Sequence, residues 1–137
     1  MAGFDKERET LEAYFKAQFK AVSDWPVQYQ NIPFTEPADG KFVRFTILNG
    51  ESTRRSLGEN PNRRHPGAVM IQIFVPDGGG TKSAREIADK IEPLFADKSI
   101  QSGTSWISFD DVSIVPVGKV ENGRFQLNVS APFLRDD

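Results

Sequence analysis

The spacing of apolar residues switches period repeatedly along this chain, and that switching decides which elements its backbone can form. Between residues 5 and 22, Leu11, Tyr14, Phe15, Gln18, Phe19 and Val22 recur at offsets of three and four, which lines them along one stripe of an amphipathic helix. Asp5 is placed to cap its start, because a short carboxylate accepts the free amide hydrogens of a first turn. Pro26 ends it, since the residue before a proline, Trp25, avoids helical geometry. The polar side holds Lys6, Glu7, Arg8, Glu9, Glu12, Lys16 and Lys20, a mixed solvated face.

From Val27 the period drops to two, first over 27–30 and then over 41–48, where Val43, Phe45 and Ile47 face one way. Residues 49–66 show no period and are rich in Asn, Gly, Pro, Ser and Arg, so they read as one long loop. Alternation returns over 67–75 with Val69, Ile71, Ile73 and Val75 on one face. After a turn at 76–80, Ser83 and Glu86 match a capping box that opens a helix running to about Ala96, with Ala84, Ile87, Ala88, Ile91 and Phe95 as its buried stripe. Pro93 lacks an amide hydrogen and crowds the carbonyl four residues back, so the last turn should kink or end early. Strands over 105–109, 112–117 and 124–131 follow; Asn122-Gly123 suits a two-residue hairpin turn, and Pro116 puts its strand at an edge or a bulge. The order of elements predicts an α+β two-layer sandwich, with a mostly antiparallel sheet of five to six strands and both helices on one face.

At 137 residues, with 38% hydrophobic residues and eleven phenylalanines, the chain can form one domain around one core, spanning 1–137 with its first helix at about 5–22 and a long loop at about 49–66. The absence of cysteine removes disulfides, thiolate chemistry and sulfur-ligated metals, and a single histidine, His65, removes most of what remains. Neither an export signal nor an apolar run of about 18 residues is present, so the expectation is a protein that stays in the cytoplasm that made it, with no membrane contact. A net charge of −2 gives no global attraction to nucleic acid or anionic lipid; any basic site must be local.

Clusters that invite a chemical reading fail on spacing. Gly78-Gly79-Gly80-Thr81-Lys82-Ser83 follows a strand and opens a helix, but a phosphate-binding loop needs glycine directly before its lysine, and Thr81 stands there instead. His65 lies between Arg64 and Pro66 with no nucleophile or carboxylate fixed beside it by any motif. Asp110-Asp111 suits a turn between strands, since adjacent residues of an extended chain point to opposite faces. No catalytic, cofactor or metal site is expected, and the chain reads as an assembly or binding protein, not an enzyme. The feature that survives is the long loop, where, between Thr53 and Pro66, Arg54, Arg55, Arg63 and Arg64 stand against the single Glu59 and attract anions, whether nucleic-acid phosphates or the acidic surface of a neighbouring subunit. A nucleic-acid-binding module built on that loop is the reading from another class. With His65, these arginines are the candidate subunit or DNA contacts.

Several segments carry a likeness in their order: Asn31-Ile32-Pro33-Phe34-Thr35, Val43-Arg44-Phe45, Ser56-Leu57-Gly58, Arg64-His65-Pro66-Gly67 leading into 69–74, Pro76 with the glycines after it, and Ala131-Pro132-Phe133. Together, from about Trp25 to Phe133, they resemble the phage-related tail terminator-like proteins of long-tailed bacteriophages and prophages. The resemblance implies a non-enzymatic two-layer subunit, able to stay monomeric in isolation, that assembles as a six-membered ring on the tail tube. Such a ring halts tube growth, docks to the head connector and lets DNA pass through its lumen. It further implies self, tail-tube protein and head-tail connector protein as partners, and residence in the bacterial host cytoplasm before assembly and in the virion tail after it. A different neck or tail-tube protein of the same particle is the neighbouring alternative.

Overall fold

A computed structural model describes residues 3–54, 57–58, 62–121 and 123–136. Its first element, helix α1 (Phe4–Lys20), buries Glu7, Leu11, Phe15 and Phe19, a straight stripe of four-residue steps. Val22, expected on that stripe, is exposed because the helix ends at Lys20 and the amides of Val22 and Ser23 both close on Phe19 O; Gln18, inside the helix, is exposed beside the Leu11, Phe15 and Phe19 line. Asp5 does not cap the helix. The N-cap is Gly3 at φ 74°, and no side chain serves it. A Cβ at Gly3 would lie 3.1 Å from Arg135 Nη1, so that guanidinium closely approaches the cap, which stands two residues earlier than Asp5 would. Asp5 instead sits in the first turn, where its charge favours the helix dipole, and accepts a hydrogen bond from Arg8 Nε at 2.9 Å.

The second helix, α2 (Lys82–Phe95), also starts earlier than expected, with Thr81 at its N-cap and no side-chain cap, so Ser83 lies inside the helix and the capping box does not form. Pro93 stands within the last turn without ending it; the helix continues two residues because Leu94 and Phe95 are buried and the Ala96 amide closes on Glu92 O at 3.0 Å. Packing there outweighs the hydrogen bond that proline cannot donate.

The strands are β1 (Val27–Tyr29), β2 (Phe42–Asn49), β3 (Thr53–Arg54), β4 (Arg63–Pro76), β5 (Ser99–Ser102), β6 (Ser105–Phe109), β7 (Ser113–Val120) and β8 (Arg124–Asp136). They form one eight-stranded sheet in the order β1-β2-β4-β8-β6-β5, with β3 beside β4 and β7 beside β8. Only β1 with β2 is parallel; every other described pair is antiparallel. The short β3 and β5 are the strands beyond the five or six expected.

Long strands β4 and β8 form the centre, paired from Arg64↔Asp136 to Pro76↔Arg124. Their inward residues, Val69, Ile71, Ile73 and Val75 against Leu127, Val129, Ala131 and Phe133, pack with the buried stripes of both helices in one cluster. Phe15 is its aromatic centre, stacked on Phe19, Phe45 and Phe95 at ring-centroid distances of 4.9, 5.0 and 6.1 Å. Along its other edge β8 pairs with β7 in its first half and β6 in its second. The register of β7 shifts between Pro116 and Gly118, the bulge expected where proline cannot donate to the ladder. Val120 pairs with Arg124, so the hairpin connection is three residues long, not two; Gly123 takes φ 69°, and Asn122 lies outside the described residues.

Candidate functional site

The arginines expected in one open loop are distributed quite differently. β4 begins at Arg63, so Arg63, Arg64 and His65 are strand residues, and the unperiodic stretch over 49–66 is interrupted by the β3–β4 pair. Backbone pairing needs no side-chain alternation when both faces meet solvent, which is why hydrophobic period could not reveal it. Arg54 and Arg63 are direct partners across this ladder and both are exposed. Like charges opposed in this way cost stability unless an anion answers them. Leu57, between them in the chain, is 92% exposed.

The other predicted contacts are spoken for. Arg64 grips Asp136 with both arms of its guanidinium, Nε to Oδ1 at 3.0 Å and Nη2 to Oδ2 at 3.2 Å, and this hydrogen bonding, aided by the carboxylate's charge, raises its pKa further above the ordinary arginine value. His65 is buried at 4% exposure; its Nδ1 shares a 2.7 Å hydrogen bond with Ser52 Oγ, and the Phe4 ring meets it edge-on at 5.3 Å. His65 is thus part of the packing beneath the arm, with little surface open to solvent. Arg55 lies outside the described residues.

Beneath the arm lies a polar network that residue types alone did not expose. Glu7 and Arg135 are each 1% exposed and joined by Arg135 Nε donating to Glu7 Oε1 at 2.9 Å. Asn49 Nδ2 donates to the other carboxylate oxygen at 3.0 Å, and the guanidinium sits 5.4 Å from the Phe4 ring centre. Two charges this deep are tolerated only when paired and hydrogen-bonded. Their pairing ties the first turn of α1 to the ends of β2 and β8, and so fixes the root of the β3–β4 arm. A signal was available: Glu7 is one four-residue step before Leu11 on the buried stripe, and Arg135 is one alternation beyond Phe133 on the inward face of β8.

The sheet face away from the helices carries arginines whose charge is met within the chain. Arg44 donates to Gln28 Oε1 at 3.1 Å and Gln72 Oε1 at 3.3 Å, with its guanidinium 5.0 Å from the Phe74 ring centre. Arg124 lies 5.6 Å from Phe42 and 5.5 Å from Phe74, and its Nε is 3.2 Å from Glu36 Oε1 in an ion pair without hydrogen-bond alignment. The glycine run is a turn, with Gly78 at φ 87° and Gly80 at φ 78°. Asp110 and Asp111 are exposed between β6 and β7, and Asp110 O accepts the Asp97 amide at 3.0 Å. Among the described residues no group of three or more His, Cys, Asp or Glu could hold a metal ion, and no helix is long and apolar enough to cross a membrane.

Comparison with known proteins adds three findings. A family model described as phage tail terminator protein matches residues 8–133. One solved structure, whose name says nothing of its role, superposes with a TM-score of 0.76 at 24% identity over 96% of this chain and 94% of its own, a likeness of fold. A search of the curated proteins found no match.

Proposed function

The chain belongs to the phage tail terminator family, and from that premise we propose that it is the ring subunit that caps the tail tube, stops its polymerisation and docks to the head connector. The family is structural, so the chain is a component of the virion tail and not an enzyme, and it meets other tail or head components. The finer reading is a subunit made in the bacterial cytoplasm, able to stay monomeric alone, that closes as a hexamer on a tube end and leaves a lumen through which DNA passes. The match over 8–133 carries this reading.

The geometry supports it in kind. A ring subunit needs a rigid body and side chains held out to neighbours, and it needs no bond-making chemistry. Here the buried Glu7–Arg135 pair anchors an arm on which Arg54 and Arg63 face solvent. These two, with Arg55 beside them in sequence, are the contacts to an acidic neighbouring surface; Arg64 and His65 hold the arm in place.

Electron microscopy of particles made without this chain tests the proposal. Tubes of uncontrolled length, or tails that fail to join heads, are expected; normal joined tails would overturn it. Tubes of normal length that lack another neck component would instead place the chain elsewhere in the stack.

A further inference from the structure

Among the described residues β1, β3, β5 and β7 each have a strand neighbour on one side only, and two of these open margins lie on opposite sides of the central β4–β8 pair: β1, at one end of the strand order, and β7, beside β8 off the main path. Beside β1 runs a groove of about 490 Å³ whose apolar lining is Phe19, Trp25, Val27 and Tyr29. The Tyr29 hydroxyl is buried without a hydrogen-bond partner among the described residues. On β7, Ile114, Val115 and Val117 are 40%, 47% and 49% exposed. An apolar edge strand left open invites pairing with another chain unless something covers it.

We propose that β7 of one copy docks against the β1 margin of a second copy, seating Ile114 in the groove. This inference rests on the ring reading above and names the surfaces that close the ring. Because the two margins differ, the contact is head-to-tail, the type that generates rings.

Three observations favour this pairing. Ile114 stands opposite Val129, which faces the helices, and Val27 and Tyr29 stand opposite Val43 and Phe45, which also face the helices. When two sheets join edge to edge with their helices on the same side, Ile114 therefore meets the lining of the groove. Length also agrees, since β1 offers three residues and β7 offers Ser113, Ile114 and Val115 before Pro116 and the bulge interrupt its ladder. That interruption confines the contact to one short stretch. The charges complete it: Lys16 and Lys20 are exposed at the groove's lip, where Asp24 is the acidic residue of the lining and Glu12, beside Lys16 and Tyr29, is engaged by Arg8, and Asp110 and Asp111 are exposed just ahead of β7.

Charge reversal on the full chain is the test, with mass measured in solution over a concentration series, alone and with tail-tube ends supplied. Lys16→Glu with Lys20→Glu, or Asp110→Lys with Asp111→Lys, should each raise the half-assembly concentration about tenfold or more, and combining all four should restore it to within about threefold. All four positions are exposed, so circular dichroism should remain that of the unaltered chain. Rings unaffected by either reversal, or lost in both and not recovered in combination, overturn this contact and leave the ring reading intact. An unaltered chain that forms no ring, alone or on tube ends, removes both.

Discussion

Replacing Glu7 by alanine removes the Glu7 carboxylate from the Arg135 guanidinium, which is 1% exposed, and takes the acceptor from Asn49 as well. Breaking a buried ion pair costs about 3–5 kcal/mol, because the remaining charge keeps its desolvation cost while losing the attraction of the Glu7 carboxylate. At about 2.1 cal/mol/K of unfolding entropy per residue, 137 residues lose about 1 °C of Tm for every 0.3 kcal/mol, so the variant should melt about 10–17 °C lower. Removing both charges is different. Glu7→Leu with Arg135→Met fills similar volume and should recover most of the loss, giving a coupling of roughly 2 kcal/mol or more between the two sites. Thermal unfolding of the isolated chain followed by circular dichroism measures all the terms. Raising salt should leave the native Tm nearly unchanged on this account, since a pair shielded from water is barely screened. A fall of less than about 3 °C for Glu7→Ala, or a double variant as unstable as the two single losses added, refutes the reasoning.

Gly67→Ala should destabilise by about 1–3 kcal/mol, because a Cβ there would lie 2.5 Å from Phe133 Cζ and 2.7 Å from the Leu48 carbonyl oxygen; a urea midpoint equal to that of the parent would show that the strands can part at no cost. Desolvation, then the nearby Glu12 charge, pushes Tyr29 up to about 12, above its unfolded value near 10. The folded state therefore holds this proton more tightly, and Tyr29's contribution is complete below pH 10 and lost as pH rises toward 12. In Tyr29→Phe the alkaline fall in Tm over that window should be shallower, and an identical pH profile would contradict it. Arg54→Ser with Arg63→Ser relieves a repulsive cross-strand pair, so Tm should stay within about 2 °C or rise, while assembly on tube ends weakens; a large loss of Tm would make these arginines structural.

The periodicity of the sequence made the layers legible because burial imposes it: Val69 to Val75 and Leu127 to Ala131 alternate where one face meets the helices, and Leu11, Phe15 and Phe19 recur where a helix meets the sheet. The bulge at Pro116 was legible for the local reason that proline lacks a donor. Helix starts were not, since Gly3 answers to Arg135 across the fold and Ser83 fell inside a helix that Thr81 had already begun. Strands β3 and β5 escaped because neither carries an apolar alternation. The candidate contacts were only half legible. Arginine enrichment in 49–66 was visible, but whether a given arginine faces solvent or grips a carboxylate depended on Asp136, some seventy residues away in the chain. Charged residues were assigned to solvent by type, so Glu7 and Arg135 were passed over although both sit in phase with the buried pattern.

Polymerisation of purified tail-tube protein with increasing amounts of this chain tests the central claim most directly, with tube lengths measured by electron microscopy. The account predicts that mean length falls as the chain is added, growth stops, and a single ring of density sits on the capped end. Tubes that grow to the same length distribution at every ratio, with bare ends, would contradict it.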